Sequence, residues 1–194
     1  MGGSVMASII NATTTGITVT GDNSGQLTLS ANGSTALTAN TTGYLNFAKQ
    51  PTIGGNEWPA FSAFKTSNQS VSASTWVKIT FDSEQFDTAN CYSSSRFTPN
   101  VAGYYVINCN IMVTTPSTSS YIQHAIYKNG SSFSLITETQ VTSSSYVSVP
   151  GSVLIYLNGS TDYVEIYFNT GYNATAYGDT TPYTYLQGYL VRAA

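Results

Sequence analysis

Positive charge is what this sequence has least of: six Lys and Arg in 194 residues, against nine Asp and Glu and a single His. Six cations cannot build the basic stripe that nucleic-acid binding requires. One His and two Cys exclude a Cys/His metal cage. Charged residues make up 8% of the chain, about a third of the ordinary share of roughly 25%. No run of 18 apolar residues occurs, so no membrane-spanning helix is expected. Hydroxyls and rings are plentiful instead: 54 Ser and Thr, and 15 Tyr. An aromatic fraction of 13% argues against a disordered chain. The profile is β-rich and weakly charged, and it suits a binding or structural part better than an enzyme.

Composition shifts near residue 50. Residues 1–48 carry one charge, Asp22, and few large apolar side chains. Short alternations (Ile17-Thr-Val-Thr20, Gln26-Leu-Thr-Leu-Ser30, Ala36-Leu-Thr-Ala39, Tyr44-Leu-Asn-Phe47) are separated by turn signals. So few core residues cannot offset chain entropy alone. The segment therefore reads as a β-rich attachment or oligomerisation arm over residues 1–50, with a flexible tail as the alternative. Pro51, Gly54 and Gly55 mark a linker over 51–57.

From residue 58 onward, aromatic-dense runs are expected as strands at 58–65, 74–81, 90–97, 103–114, 120–128, 132–142, 146–157, 161–169 and 183–192. Asn129 with Gly130, and Asn158 with Gly159, read as hairpin turns. Nothing has a sustained 3.6-residue period, so residues 58–194 are expected to form an all-β sandwich or jelly roll. In 104–113, Tyr105, Ile107, Cys109, Ile111 and Val113 share a face opposite Asn108 and Asn110. In 162–168, Val164, Ile166 and Phe168 oppose Tyr163, Glu165 and Tyr167. A Tyr-lined face suits an intersubunit contact or a ligand.

These residues carry a resemblance. Pro59-Ala-Phe-Ser-Ala63, the ordered series Phe81, Asp87, Tyr92, Phe97, Gly103 and Tyr105, then Tyr127-Lys-Asn-Gly130, the Leu157-to-Glu165 hairpin and Leu186-Gln-Gly188-Tyr189-Leu190 follow a known pattern in order. It resembles the globular head family of complement component one, subcomponent q, related to tumour necrosis factor. The resemblance implies a ten-stranded jelly roll assembled as a tight homotrimer, non-enzymatic, binding proteins, glycans or lipids through exposed loops. Residues 16–29 and 41–45 are similar to sequences that precede such heads in tailed-bacteriophage virion proteins. The first ten residues have neither a basic region nor an apolar core of signal type. Synthesis in a host cytoplasm, release by lysis and a place on the virion surface are expected.

Candidate sites follow. The polar, Tyr-bearing stretch 169–182 is expected as an exposed receptor-binding loop, with Tyr172, Asn173, Tyr177 and Asp179 as contacts. Asp82, Glu84 and Asp87 fall in what reads as one acidic loop, either solvated or holding Ca²⁺; no other cofactor is expected. His124, Tyr105, Tyr163, Tyr167 and Tyr189 are expected in the core or at the trimer interface. No catalytic residue stands out: Ser lacks a Gly-x-Ser-x-Gly elbow, and Asp162 and Glu165 face opposite ways. The expected function is a phage spike or short tail-fibre tip that adheres to a host glycan or protein. Its arm would bind another virion protein of the tail or capsid. The alternatives are a capsid decoration protein at three-fold sites and, last, a glycan depolymerase.

Overall fold

The computed structural model describes residues 58–114, 119–142 and 145–194, and three strands before them. The chain divides into two compact units, Met1–Pro51 and Thr52–Ala194. In the first, β1 (Leu27–Ala31), β2 (Ser34–Ala39) and β3 (Leu45–Phe47) form an antiparallel meander. The alternation at 17–20 lies outside the described residues.

The second unit is a jelly-roll-like sandwich without a helix among its described residues. Its strands are β4 (Ala60–Phe64), β5 (Gln69–Val71), β6 (Val77–Lys78), β7 (Ser83–Asp87), β8 (Tyr92–Ser93), β9 (Arg96–Phe97), β10 (Ala102–Thr114), β11 (Ser120–Lys128), β12 (Ser131–Val141), β13 (Tyr146–Asn158), β14 (Val164–Thr170), β15 (Ala174–Ala176) and β16 (Tyr185–Ala193). Sheet one runs β5-β15-β10-β16-β4-β7, with β13 on the other edge of β10; sheet two runs β12-β11-β14-β9-β8, with β6 also on β14. No helix among the described residues is long and apolar enough to cross a membrane.

The alternations read from the sequence set which faces meet. Tyr105, Ile107, Cys109, Ile111 and Val113 turn inward from β10, and Val164, Ile166 and Phe168 from β14; all are buried. Phe97 stacks on Phe61 at 4.4 Å between ring centres and meets Tyr105 edge-on at 5.5 Å, tying the two sheets together. Each such ring removed from water contributes roughly 1.5–3 kcal/mol. The Tyr105 hydroxyl, buried with its ring, donates to Val101 O at 2.6 Å.

Asn129 and Gly130 form the hairpin between β11 and β12, both at positive φ (54° and 77°), as a primed turn demands. Asn158 and Gly159 do not make a hairpin. They carry the chain from β13, paired to β10 in sheet one, across to β14, paired to β11 in sheet two. This crossing is held by side chains in place of a ladder. Asn158 Oδ1 accepts from the amides of Ser160, Thr161 and Asp162, and Asp162 accepts from Asn129 Nδ2 at 2.7 Å.

The expected strand 74–81 shortens to the two residues of β6, and the acidic segment after Phe81, read as a loop, is strand β7. A partner ladder from β4 overrides its weak β propensity. Cys91 and Cys109 are both free and buried.

Candidate functional site

β10 is 13 residues long, roughly 40 Å from end to end. The chain enters the head near one end, where Leu190 N donates to Pro59 O and Leu190 pairs with Tyr105. At the opposite end lies the segment expected as a binding loop. It is more ordered than the sequence suggests. Ala174–Ala176 form β15, pairing with β5 and with Val113 of β10. Asn173 Oδ1 accepts from Ala73 N at 3.0 Å, and the Tyr172 hydroxyl donates to Thr114 O at 2.6 Å. Both side chains are thereby committed to fixing the segment. Burial raises the Tyr172 phenol. Gly178 passes so close to Ser67 that a Cβ would sit 2.4 Å from its backbone, and its amide donates to Asn68 Oδ1.

What this scaffold presents is a row of rings. Tyr146, Tyr177 and Tyr183 meet in sequence, 5.2 Å and then 5.8 Å between ring centres. Tyr146 and Tyr183 are exposed. The Tyr177 hydroxyl donates to Asp179 Oδ2 at 2.9 Å, which raises the phenol. Asp179 is held below the ordinary carboxylate range by the Thr181 amide first, then by the Tyr177 and Thr180 hydroxyls. The tip therefore offers flat apolar faces, phenolic donors and one fixed carboxylate. Tyr supplies large contact area with few rotors. Tyr146 lies 31 residues before Tyr177, so no local sequence signal groups them.

The remaining candidates separate in space. Asp82 and Asp87 sit at the two ends of β7, roughly 15 Å apart. Partial burial works to raise the Asp82 carboxyl, but bonds from Ser67 and Thr66 outweigh it and bring it down to about 2. Asp87 accepts from the amides of Ala89 and Tyr92. Glu84 is exposed. The three carboxylates are not brought together, and no three His, Cys, Asp or Glu side chains group as a cation site among the described residues.

His124 and Tyr105 lie in the core. His124 Nε2 is 3.2 Å from Cys109 Sγ. Burial lowers the imidazole to about 4 and pushes the thiol up to about 12. Both groups are neutral and sealed from solvent, so this Cys–His pair has no access to a substrate. Tyr189 lies on the outward face of sheet one, and Tyr163 and Tyr167 on the outward face of sheet two. There Arg96 covers the Tyr163 ring at 3.7 Å and Tyr127 stacks on Tyr167 at 4.0 Å.

Sheet one carries a further surface. Tyr104 pairs across the ladder with Tyr156, and Val106 lies between Leu154 and Tyr189. Tyr104, Leu154, Tyr156 and Tyr189 are all exposed, Leu154 at 59%. Phe133 and Leu135 are exposed on β12, the edge strand of sheet two.

The comparisons agree with this architecture. No curated protein sequence matches the chain. Among solved structures, the globular domain of zebrafish complement 1qA protein is 16% identical over 71% of this chain and 100% of that one, with a TM-score of 0.49. Murine APRIL is 9% identical over 70% and 100%, with a TM-score of 0.50. The Eiger TNF of S. frugiperda is 8% identical over 71% and 94%, with a TM-score of 0.52. At these identities the last two likenesses concern the fold alone. The model of the C1q domain matches residues 60–191, about two thirds of the sequence, and the chain belongs to the C1q domain family.

Proposed function

We propose that this chain is a non-enzymatic structural protein of a phage virion, a homotrimeric surface spike or short tail-fibre tip. It attaches to another virion protein through residues 1–50 and displays its jelly-roll head for adhesion to a host-surface glycan or protein. The observation that carries the reading is the exposed apolar area on the outward face of sheet one. Tyr104, Leu154, Tyr156 and Tyr189 form a contiguous apolar patch of the kind that marks a protein–protein contact. The exposed Phe133 and Leu135 on the β12 edge supply a different surface for it to meet. A face that packs on a neighbour's edge is a heterologous contact, which closes into a ring when the rotation between copies divides a full turn. Three copies is the number that the resemblance to the complement q and tumour necrosis factor heads implies. Covering β12 also removes a long unpaired edge strand, a standing template for aggregation.

The phage context rests on residues 16–29 and 41–45, which are similar to segments preceding such heads in virion proteins. The adhesive role rests on the tyrosine row at the end of the head opposite Trp58. Labelled antibody on intact particles tests the placement. Label confined to the tail supports the adhesin, whereas label over the whole shell makes the protein a capsid decoration at three-fold sites. Incubation with host polysaccharide tests the chemistry: no reducing ends are expected, and their release would make it a depolymerase.

A further inference from the structure

We infer that a pocket on the outer face of sheet two, at the edge away from β12, is a binding site for an acidic saccharide, a sugar bearing a carboxylate or phosphate. The pocket has a volume of about 380 Å³ and is lined by Lys78, Asn90, Ser93, Ser94, Arg96 and Thr98, with the buried Cys91 behind. That volume lies within the range of small-molecule sites. The lining consists of two cations, hydroxyls and an amide, which is the donor set a sugar with an acid group needs.

The charges are arranged to face outward. Glu165 lies beneath the pocket with its side chain 3% exposed, and its Oε1 accepts from Lys78 Nζ at 2.7 Å and from Arg96 at 2.9 Å. Burial works to raise the Glu165 carboxyl, and the two cations outweigh it and hold it below its ordinary value. Arg96 and Lys78, above it, are 43% and 28% exposed at their side chains. One carboxylate under two cations leaves a positive charge at the surface. Asp87 points its oxygens at the amides of Ala89 and Tyr92 and lies close enough to Cys91, at the back of the pocket, to act on its thiol. The chain has six Lys and Arg in all, so placing two of them here is a concentrated use of a scarce group.

The surroundings hold the cations in place. The guanidinium lies over the Tyr163 ring, which fixes its plane. Lys78 Nζ also donates to Ser94 O at 3.0 Å. Ser94 and Ser95 form the turn between β8 and β9 with φ of 53° and 57°, a conformation that favours Gly or Asn. Ser95 uses its buried hydroxyl to bond Phe81; Ser94 has its carbonyl turned to Lys78. Tyr167 faces the same way as Glu165 two residues on, pairs across the ladder with Lys78, and forms with Tyr127 and Trp76 an aromatic wall beside the ion pair.

The site is independent of the tyrosine tip. In the proposed trimer it also stays open, because β12 is the opposite edge of the same sheet. Three pockets on one particle-bound spike would multiply a weak single-site affinity.

Saturation-transfer NMR on the full chain tests the inference. The probes are methyl glucuronide, glucose 6-phosphate, methyl glucoside, acetate and inorganic phosphate, each at millimolar concentration. Transfer to one or both acidic sugars is expected, with methyl glucoside at least tenfold weaker; whichever acidic sugar binds tighter identifies the acid group. The substitution Arg96→Gln removes a half-exposed charge and leaves Glu165 paired with Lys78. It is expected to weaken the acidic sugar at least tenfold while the chain still unfolds in one cooperative transition, at a lower temperature because the buried Glu165 keeps one cation instead of two. Three results would overturn the site: no transfer to either acidic sugar, equal binding of methyl glucoside, or an Arg96→Gln variant that folds and binds as well as the parent. Acetate or inorganic phosphate competing as strongly as the sugars would also overturn it, reducing the pocket to an anion site. None of these results touches adhesion through Tyr177, which is read by particle adsorption.

Discussion

The two sheets share one core and present opposite characters to the outside. On sheet one the outward side chains include Tyr104, Leu154, Tyr156 and Tyr189, all exposed, with Tyr104 and Tyr156 meeting edge-on at 5.5 Å between ring centres. On sheet two, Glu165, Lys78, Arg96, Tyr163, Tyr127 and Tyr167 are knitted into ion pairs and ring stacks. A face whose groups already have partners is complete in contact with water. A face of largely exposed rings leaves apolar area in water until something covers it. The same alternation that makes each sheet half-buried thus yields one face of exposed rings, which the proposed function assigns to copies of the chain, and one face knitted by charges.

Four expected outcomes press on this difference, from the largest effect downward. Phe97→Ala removes the ring that bridges the sheets and should cost about 3–5 kcal/mol by denaturant unfolding. The head should still unfold in one transition, and separate transitions for the two sheets would break the idea of a common core. Leu154→Arg puts a charge in the centre of the bare face and should weaken self-association at least a hundredfold, about 3 kcal/mol. Sedimentation should then find the single chain with its β-sheet circular dichroism intact; an unchanged assembly would mean the two faces do not differ in role.

His124 gives a pH signature of the core between them. Its folded value, about 4, lies below the ordinary 6.5, so the folded state favours the neutral ring. The stabilisation is full above pH 6.5, falls as pH drops towards 4, and is lost below that, for a total of up to about 3 kcal/mol. Comparing melting curves with His124→Leu isolates it, and an identical pH slope in both would refute it. The smallest effect is at the tip. Tyr177→Ala should lower particle adsorption about tenfold while leaving the mass of the assembly unchanged, and normal adsorption would remove the tip from the adhesive surface.

Much of the core was legible because it is local. Tyr105 to Val113 and Val164 to Phe168 alternate without interruption, and Asn129 with Gly130 is a two-residue turn that only one backbone conformation satisfies. What escaped was set at long range. Ala174–Ala176 has no apolar pattern and becomes a strand because β5 and β10 supply partners. The residues 83–87 look like a polar loop and become a strand for the same reason, which also pulls Asp82 and Asp87 apart. Asn158 with Gly159 resembles a hairpin turn, and only the sheet assignment of its neighbours reveals a crossing. Lys78 and Arg96 gave no local sign of sharing Glu165, 87 and 69 residues away in sequence. The family pattern from Phe81 to Leu190 marked the framework residues of the head and carried no information about these partners.

The account turns on whether the bare face of sheet one is covered by other copies of the chain. Light scattering of the full chain at micromolar concentration measures this most directly. A mass three times the 20.7 kDa of one chain is the expected result. A single chain mass at that concentration would contradict it.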